Sequence, residues 1–403
     1  MTHEPDQPAG APDPWRNPPR PDSQPGQAPA PQWGQAPQWG QAPQWGQAPQ
    51  WGQYAPLPGR QYAPPPKPGV IPLRPLTLGE VLDGAFQAAR RNAKAMFGSA
   101  LLVQAVSAVV NLALIAVVFG SGLSITSLAA GTVTENQAGS FVLGAGTALL
   151  VAVLLQTVTT MILQGVLVIP VARAVLNRGT GFTQMWTLAR RRIWALLALA
   201  LLYMVAVLVV LAAIVLIAWG LVSALGPGGV ALTVLLVLAV VALFIWIGAK
   251  LLVAPAALVV ENLGIFAAIA RSWSLTTHHW WRTFGTALLA RLIVGTITGF
   301  IAAPVGFLAN LVSLLINPHP TPEQEFTQIL VVQAISLVIS SLLGAVALAF
   351  ESGVLALIYI DLRMRKEGFD VVLMKDHEAG PAGNPDGIPG QLPADGPWSP
   401  ATP

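Results

Sequence analysis

The chain reads as an all-α membrane protein: six transmembrane helices, amphipathic interfacial helices on the cytoplasmic side, and disordered termini. Three observations carry that reading. Only 10% of the 403 residues are charged and 54% are hydrophobic, against roughly 25% charged in an ordinary soluble domain. The apolar residues come in blocks of about 20 or more, the length that crosses a hydrocarbon core about 30 Å thick. Lysines and arginines fall between alternate blocks, the distribution that orients membrane helices.

The ends differ from the middle. Residues 1–69 are of low complexity: a hexad Pro-Gln-Trp-Gly-Gln-Ala starts at Pro31, Pro37 and Pro43, and a last copy at Pro49 ends in Tyr54 instead of Ala. This sets Trp33, Trp39, Trp45 and Trp51 at a period of six. Proline at that interval blocks a helix, and glycine and glutamine offer no apolar face to bury. The period is also too short for a solenoid unit. A disordered cytoplasmic tail is expected, either tolerated without a role of its own or with tryptophans that act as weak contact points for proline-rich partners or for self-association. Residues 373–403, rich in Pro, Gly and Asp, are expected to be disordered as well. No short apolar core with a cleavage site occurs in the first 94 residues, so insertion is expected to rely on the first span.

Residues 70–372 form the expected membrane domain, with spans at about 95–120, 141–169, 193–225, 230–253, 284–316 and 329–360. Pro170 closes the second, the turn Gly226-Pro227-Gly228-Gly229 separates the third from the fourth, and Pro255 follows the fourth. Arg90, Arg91 and Lys94 precede the first span, and Arg173, Arg178, Arg190, Arg191 and Arg192 lie between the second and third. Lys250, Arg271, Arg282 and Arg291 cluster between the fourth and fifth, and Arg363, Arg365 and Lys366 follow the sixth. The alternate loops hold no lysine or arginine and carry Glu135, Glu323 and Glu325. Both termini are therefore expected in the cytoplasm. The net charge of +3 is spent on topology anchors rather than on a binding stripe, so a lipid bilayer is the expected partner and nucleic acid is not.

Amphipathic segments introduce the odd-numbered spans. Thr77-Leu78-Gly79-Glu80 fits a capping box. The helix it opens places Leu78, Leu82, Ala85, Phe86 and Ala89 on one side and Asp83, Gln87, Arg90 and Arg91 on the other, suited to lie in the interface plane. Thr183–Arg192 and Leu263–Arg282 repeat the mixture of aromatic and basic residues that suits the headgroup level. Three copies of one unit, interfacial helix then two spans, make a three-fold pseudo-repeat.

The run from Ile71 to Phe86, containing Thr77, Gly79, Glu80, Asp83 and Gly84, resembles the opening of the bacterial glycerophosphoryl diester phosphodiesterase membrane-domain family. The stretch with Pro255, Glu261, Arg271, Ser272, Trp273 and Arg282 is similar to that family's central signature, and Tyr359–Gly368, with Asp361, Arg363, Arg365 and Glu367, to its closing motif. The resemblance covers about residues 70–372 and implies a polytopic membrane domain of a bacterial cytoplasmic membrane. It implies no activity for this chain. The family's phosphodiesterase is a separate soluble barrel with a His-Arg-Gly type motif, and such barrels need about 250 residues.

The residues agree with a chain that has no catalytic role. Cysteine is absent, which excludes disulfides, thiolate metal sites and cysteine nucleophiles. None of His3, His278, His279, His319 and His377 is followed by Arg-Gly, and no nucleophile elbow, phosphate-binding glycine loop or zinc-helix pattern occurs. No catalytic residue, metal or cofactor is expected. His278-His279, adjacent and so about 100° apart on a helix, reads as interfacial packing. Arg291 and Glu351 fall inside spans, where an isolated charge is costly and pairing is expected. Gln104, Ser107 and Asn111 stripe the first span, Gln156, Thr160 and Gln164 the second, and Ser336, Ser340 and Gly344 the sixth. Gly295 and Gly299 make a small-xxx-small pair. The expectation for all of these is close helix packing, with a polar cavity as the other reading. In function, the leading expectation is a non-enzymatic scaffold, adaptor or anchor, with the tail as its partner-facing arm. A transporter or lipid-handling protein comes second, and a membrane subunit assisting a separate hydrolase third.

Overall fold

A computed structural model describes residues 67–119, 135–319, 321–380 and 387–391. The hexads and the rest of the tail up to residue 66, like residues 392–403, lie outside the described residues. Among the described residues there are ten helices and no strand. They are α1 (Leu78–Arg91), α2 (Ala93–Phe119), α3 (Glu135–Val175), α4 (Phe182–Leu225), α5 (Pro227–Leu251), α6 (Ala254–Val260), α7 (Ile265–Thr276), α8 (Trp280–Ile316), α9 (Pro322–Glu367) and α10 (Phe369–Glu378).

Six stretches are long and apolar enough to cross a membrane: α2, α3, α4, α5 with α6, α8 and α9. At most 17% of the most apolar part of any of them is buried against the rest of the protein. Val209, Trp219 and Phe300 are 63%, 74% and 80% exposed. A soluble monomer rarely presents apolar surface of this extent. Turned toward hydrocarbon it costs nothing, and the backbone groups beneath it are satisfied within each helix. This is the architecture of a multi-pass membrane protein.

The protein core sits at one end of the bundle. It joins residues 70–76, the inner face of α1, Leu163–Val175 of α3 with Leu176 after it, all of α6 and the Ala345–Met364 stretch of α9. Helices α3 and α9 form the centre: α3 packs on α2, α4, α6 and α9, and α9 also packs on α1, α2 and α8. Small residues let α1 cross α9 closely. A Cβ on Gly84 would stand 2.6 Å from Ile71 Cγ2 and 2.9 Å from Leu357 Cδ1, and one on Gly353 only 3.3 Å from the Ala85 Cβ.

Local signals explain several boundaries. Helix α1 opens with the capping box: the Thr77 hydroxyl accepts from the Glu80 N–H at 3.4 Å, and the Thr77 N–H donates to Glu80 Oε2 at 2.7 Å. It ends at Asn92, whose amide donates to the carbonyls of Ala88 and Pro170 at 3.2 and 3.3 Å and accepts from the Thr180 N–H at 2.9 Å. Gly226 takes φ 54° at the tight turn between α4 and α5, a conformation open to glycine at little cost.

Four expectations are corrected. Pro170 does not close the second span, since α3 runs on to Val175. Proline removes one backbone bond, which membrane helices tolerate where neighbours support them, and the residues on either side of Pro170 are buried. The helix that carries the third span does not begin near Ile193. With no breaker between Phe182 and Ile193, α4 is continuous from Phe182, and Met185, Ala189, Leu196 and Leu199 share one buried stripe. Thr183–Arg192 is thus the first part of that same helix, whereas Leu263–Arg282 is divided between α7 and α8 at His278, which has φ 69°.

The C-terminal tail is not free from residue 373 onward. Gly368 turns the chain at φ 62°, and α10 buries Phe369 and Leu373. Arg178 pairs with Asp376 at 3.1 Å, Arg173 donates to the Gly387 carbonyl at 2.7 Å, and Ile388 is buried. The inner face of α1 is the last correction. Val81, Gly84, Ala85 and Ala88 face the protein, while Leu78 and Phe86 are exposed at 40% and 58%. The apolar arc of α1 therefore has two halves, one against the core and one outside it.

Candidate functional site

Two ionic clusters lock the packed end. Asp361 is buried on α9. Its carboxylate accepts from the Leu76 N–H at 2.7 Å, from Arg282 Nε at 3.0 Å and from Arg365 Nε at 3.0 Å. Arg365 also donates to the Leu76 carbonyl at 2.8 Å, and Arg282 bonds to the same oxygen. One carboxylate and two guanidinium groups thereby satisfy both backbone groups of Leu76 and tie the segment before α1 to α8 and α9.

The second cluster is a ring of alternating charge. Glu261 accepts from Arg271 Nε at 2.7 Å and from the Tyr359 hydroxyl at 2.7 Å. Arg271 Nη1 reaches Glu367 at 2.5 Å. Arg363 Nε closes the ring, 3.1 Å from Glu367 and 3.6 Å from Glu261, and its guanidinium stacks 3.9 Å over the Phe369 ring. Burial works against the charge on Arg271, but Glu367 and Glu261 outweigh it and hold its pKa above the ordinary value. The ring joins the end of α6 to α7, α9 and α10. The i,i+4 spacing of Arg363–Glu367, and of Asp361–Arg365 in the first cluster, is a local signal that would have paired them; their cross-chain partners carry none.

The other motif residues support this end. Glu80 caps α1 and pairs with Arg74 at 2.6 Å. Its bond from the Thr77 N–H, with Arg74 nearby, holds its carboxyl below the usual range. Asp83 is exposed and accepts from Gln87, and a Cβ on Gly79 would meet nothing within 4 Å. Pro255 is buried in the first turn of α6. Ser272 donates to the Lys250 carbonyl at 2.8 Å, and Trp273 meets Trp246 edge-on at 5.4 Å, with Lys250 Nζ 5.4 Å over its ring.

Beyond the clusters lies a cavity of about 900 Å³. Its walls come from α3, α4, α5, α8 and α9 with Ile269 of α7, and most of its lining is apolar. It occupies the gap between the α4–α5 pair and α8, with α3 and α9 behind it. Leu355 on α9 and Phe284 on α8 line it, on the same helices that carry Asp361 and Arg282 of the first ionic cluster. A polar band crosses it: Gln156, Thr160 and Gln164 from α3, Arg291 from α8 and Glu351 from α9. Arg291 Nε lies 3.7 Å from Glu351 Oε2.

The polar stripes divide into two kinds. That of the first span packs: Ser107 is buried, Asn111 donates to the Ser107 carbonyl at 2.7 Å, and a Cβ on Gly344 would collide with the Gln104 amide. That of the second span lines the cavity. Gly295 and Gly299 do not mediate a close approach, since a Cβ on either would meet nothing within 4 Å. They sit on the outward side of α8, where two glycines four apart have no partner helix to admit. His278 and His279 belong to the α7–α8 break. Among the described residues no group of three or more His, Asp or Glu side chains is placed to hold a metal ion.

Fold and site together define a polytopic helical membrane protein with ionic clusters at its packed end and a mostly apolar cavity between its helices. Residues 210–361 match a family described as a domain of unknown function (DUF7847). That stretch runs from the middle of α4 to Asp361 and includes Arg291, Glu351, Glu261, Arg271 and Arg282. No curated protein and no solved structure matches the chain.

Proposed function

We propose that this chain is a non-enzymatic multi-pass protein of a bacterial cytoplasmic membrane that takes up an amphiphilic molecule from the surrounding bilayer. The cavity carries this reading. Its volume of about 900 Å³ falls within the range of ligand sites, about 300–1,000 Å³, and apolar walls with a few polar groups are the usual composition of such sites. The lipid-handling expectation from the sequence is favoured over the scaffold on this ground, because the scaffold reading leans on the tail. The resemblance to the glycerophosphoryl diester phosphodiesterase membrane domain is consistent with contact with lipid. A membrane subunit assisting a separate hydrolase would use the same cavity to present substrate.

In this reading the packed, basic end faces the cytoplasm, as the positive-inside rule requires. Helix α1 lies in the interface, with Val81, Gly84, Ala85 and Ala88 on the protein, Leu78 and Phe86 toward lipid, and Asp83 and Arg90 toward water. Exposed Trp194, Phe266 and Trp281 suit the same level. A repeat is supported by paired features. Asn177 and Asn262 each follow a proline, Pro170 and Pro255, by seven residues and take φ 64° and 61°. Arg91 and Arg192 donate to their respective carbonyls at 2.6 and 2.9 Å. Phe97-Gly98-Ser99-Ala100-Leu101-Leu102 is echoed by Phe284-Gly285-Thr286-Ala287-Leu288-Leu289.

The test is lipid retention. Gly248 lines the cavity, and a Cβ there would meet nothing within 4 Å, so Gly248→Trp should fill the space without disturbing the fold. Native mass spectrometry of the full chain from lipid discs should show a tightly held lipid in the wild type and none in the variant. Equal retention in both would refute the proposal.

A further inference from the structure

We propose that Arg291, together with Gln164, is the headgroup site of the cavity, and that it receives an amphiphile with an acidic oxygen headgroup, a phosphate or carboxylate, entering sideways from the bilayer. The inference deepens the cavity reading above and rests on it.

Arg291 has donors to spare. A guanidinium carries five N–H groups in a planar fork matched to phosphate and carboxylate. Its ion pair with Glu351 uses one edge at 3.7 Å, too long for a normal hydrogen bond. Among the described residues no group hydrogen-bonds its terminal nitrogens. The residue lies eleven positions after Trp280, the start of α8, or about 16 Å along the helix axis, roughly the middle of a hydrocarbon core about 30 Å thick. A charged group held at that depth with one loose partner marks a functional site rather than a structural pair.

Gln164 supplies an independent observation. It is only 8% exposed and lines the cavity, and among the described residues its amide makes no hydrogen bond. An amide that faces the cavity with no partner among the described residues can bond an entering group without breaking an existing contact. Arg291 and Gln164 both present N–H donors to the same space, which selects an acceptor-rich, anionic headgroup. Glu351 stands beside Arg291 as a positioning residue, and its carboxylate would accept from a hydroxyl or ammonium on the same headgroup.

The route follows from exposure. Arg291 lines the cavity, yet its side chain is 65% exposed. The mouth of the cavity therefore opens at its level, on the flank of the bundle where α5 and α8 meet sparsely. A molecule that enters through the flank must already be dissolved in the membrane, and its chain then lies along the apolar wall.

The experiment compares four proteins in discs of phosphatidylcholine doped with phosphatidylglycerol or, separately, with oleate, read by native mass spectrometry and extraction. The wild type should retain the acidic species over phosphatidylcholine. Preference for phosphatidylglycerol assigns a phosphodiester headgroup, and preference for oleate a carboxylate. In Arg291→Gln/Glu351→Gln, which leaves no lone charge behind, the preference should fall about tenfold or more, the scale of one charge-assisted bidentate contact. In Gln164→Leu, acidic-lipid retention should fall while thermal stability rises or holds. A merely structural Gln164 would leave retention unchanged. If Gly248→Trp loses lipid but the double variant keeps the full acidic preference, the headgroup site is overturned and the cavity reading stands. If wild type and Gly248→Trp retain lipid alike, both fall.

Discussion

The Asp361 cluster makes the sharpest stability prediction. Asp361→Asn keeps the shape of the side chain and removes the carboxylate that Arg282, Arg365 and the Leu76 N–H share. The Asp361 side chain is 4% exposed, against 34% for Arg282 and 26% for Arg365. Breaking a fully buried ion pair costs about 3–5 kcal/mol, and an exposed pair contributes about 0–1 kcal/mol. With the carboxylate buried and the two arginines partly wet, a loss of about 2–3 kcal/mol is expected. Glu261→Gln should cost less, about 1 kcal/mol, because Glu367 still pairs with both Arg271 and Arg363 and the ring is only opened. The assay is reversible unfolding in mixed micelles followed by tryptophan fluorescence. A double-mutant cycle of Asp361→Asn with Arg282→Gln should return a coupling of about 1–2 kcal/mol. If Asp361→Asn unfolds within about 0.5 kcal/mol of wild type, or Glu261→Gln proves the costlier change, the clasp does not hold α1, α8 and α9 together as argued.

Three further outcomes follow from individual contacts. Glu80 titrates below the usual carboxylate range because of its bond from the Thr77 N–H and the nearby Arg74. Its contribution is therefore fully present at neutral pH and is lost only as pH falls through that lowered value. The stability gap between wild type and Glu80→Ala should stay constant down to about pH 5 and close in stronger acid. Gly84→Val should cost about 1–3 kcal/mol through its clash with Ile71 and Leu357, while Gly295→Val, facing open space, should leave the unfolding midpoint unchanged. Because the chain has no cysteine, Glu135→Cys should react with an impermeant maleimide added outside, and Gln87→Cys only after permeabilisation. Protection of the first before permeabilisation would reverse the proposed orientation.

Much of the fold was legible because the relevant signals are local. A span announces itself by about 20 consecutive apolar residues, and six such stretches are present as helices. The capping box at Thr77 and Glu80 is a four-residue pattern whose geometry needs nothing beyond those residues. Boundaries were less legible. Whether Pro170 ends a helix depends on whether packed neighbours support the bond it removes, and whether residues near 373 are ordered depends on a pocket for Phe369 and Leu373. The composition of the C-terminal tail contains neither fact.

The candidate site was visible only as an inventory. Arg291 and Glu351 stood out because a charge inside an apolar block is costly wherever its partner lies, and the charged motif residues stood out only through a resemblance to a known family. Which of them meet was decided by the tertiary structure. Leu76 and Asp361 are 285 residues apart, and no periodicity reaches that far. The same holds for the polar stripes. Gln104, Ser107 and Asn111 have the same helical spacing as Gln156, Thr160 and Gln164, yet the first set packs against α9 and the second lines the cavity. By itself the sequence determined that this chain spans a membrane and which residues are costly there, because those depend on composition summed along a helix. Only the tertiary structure decided that one stripe is filled by a neighbouring helix while the other borders empty space, because that depends on where α4, α5 and α8 stand.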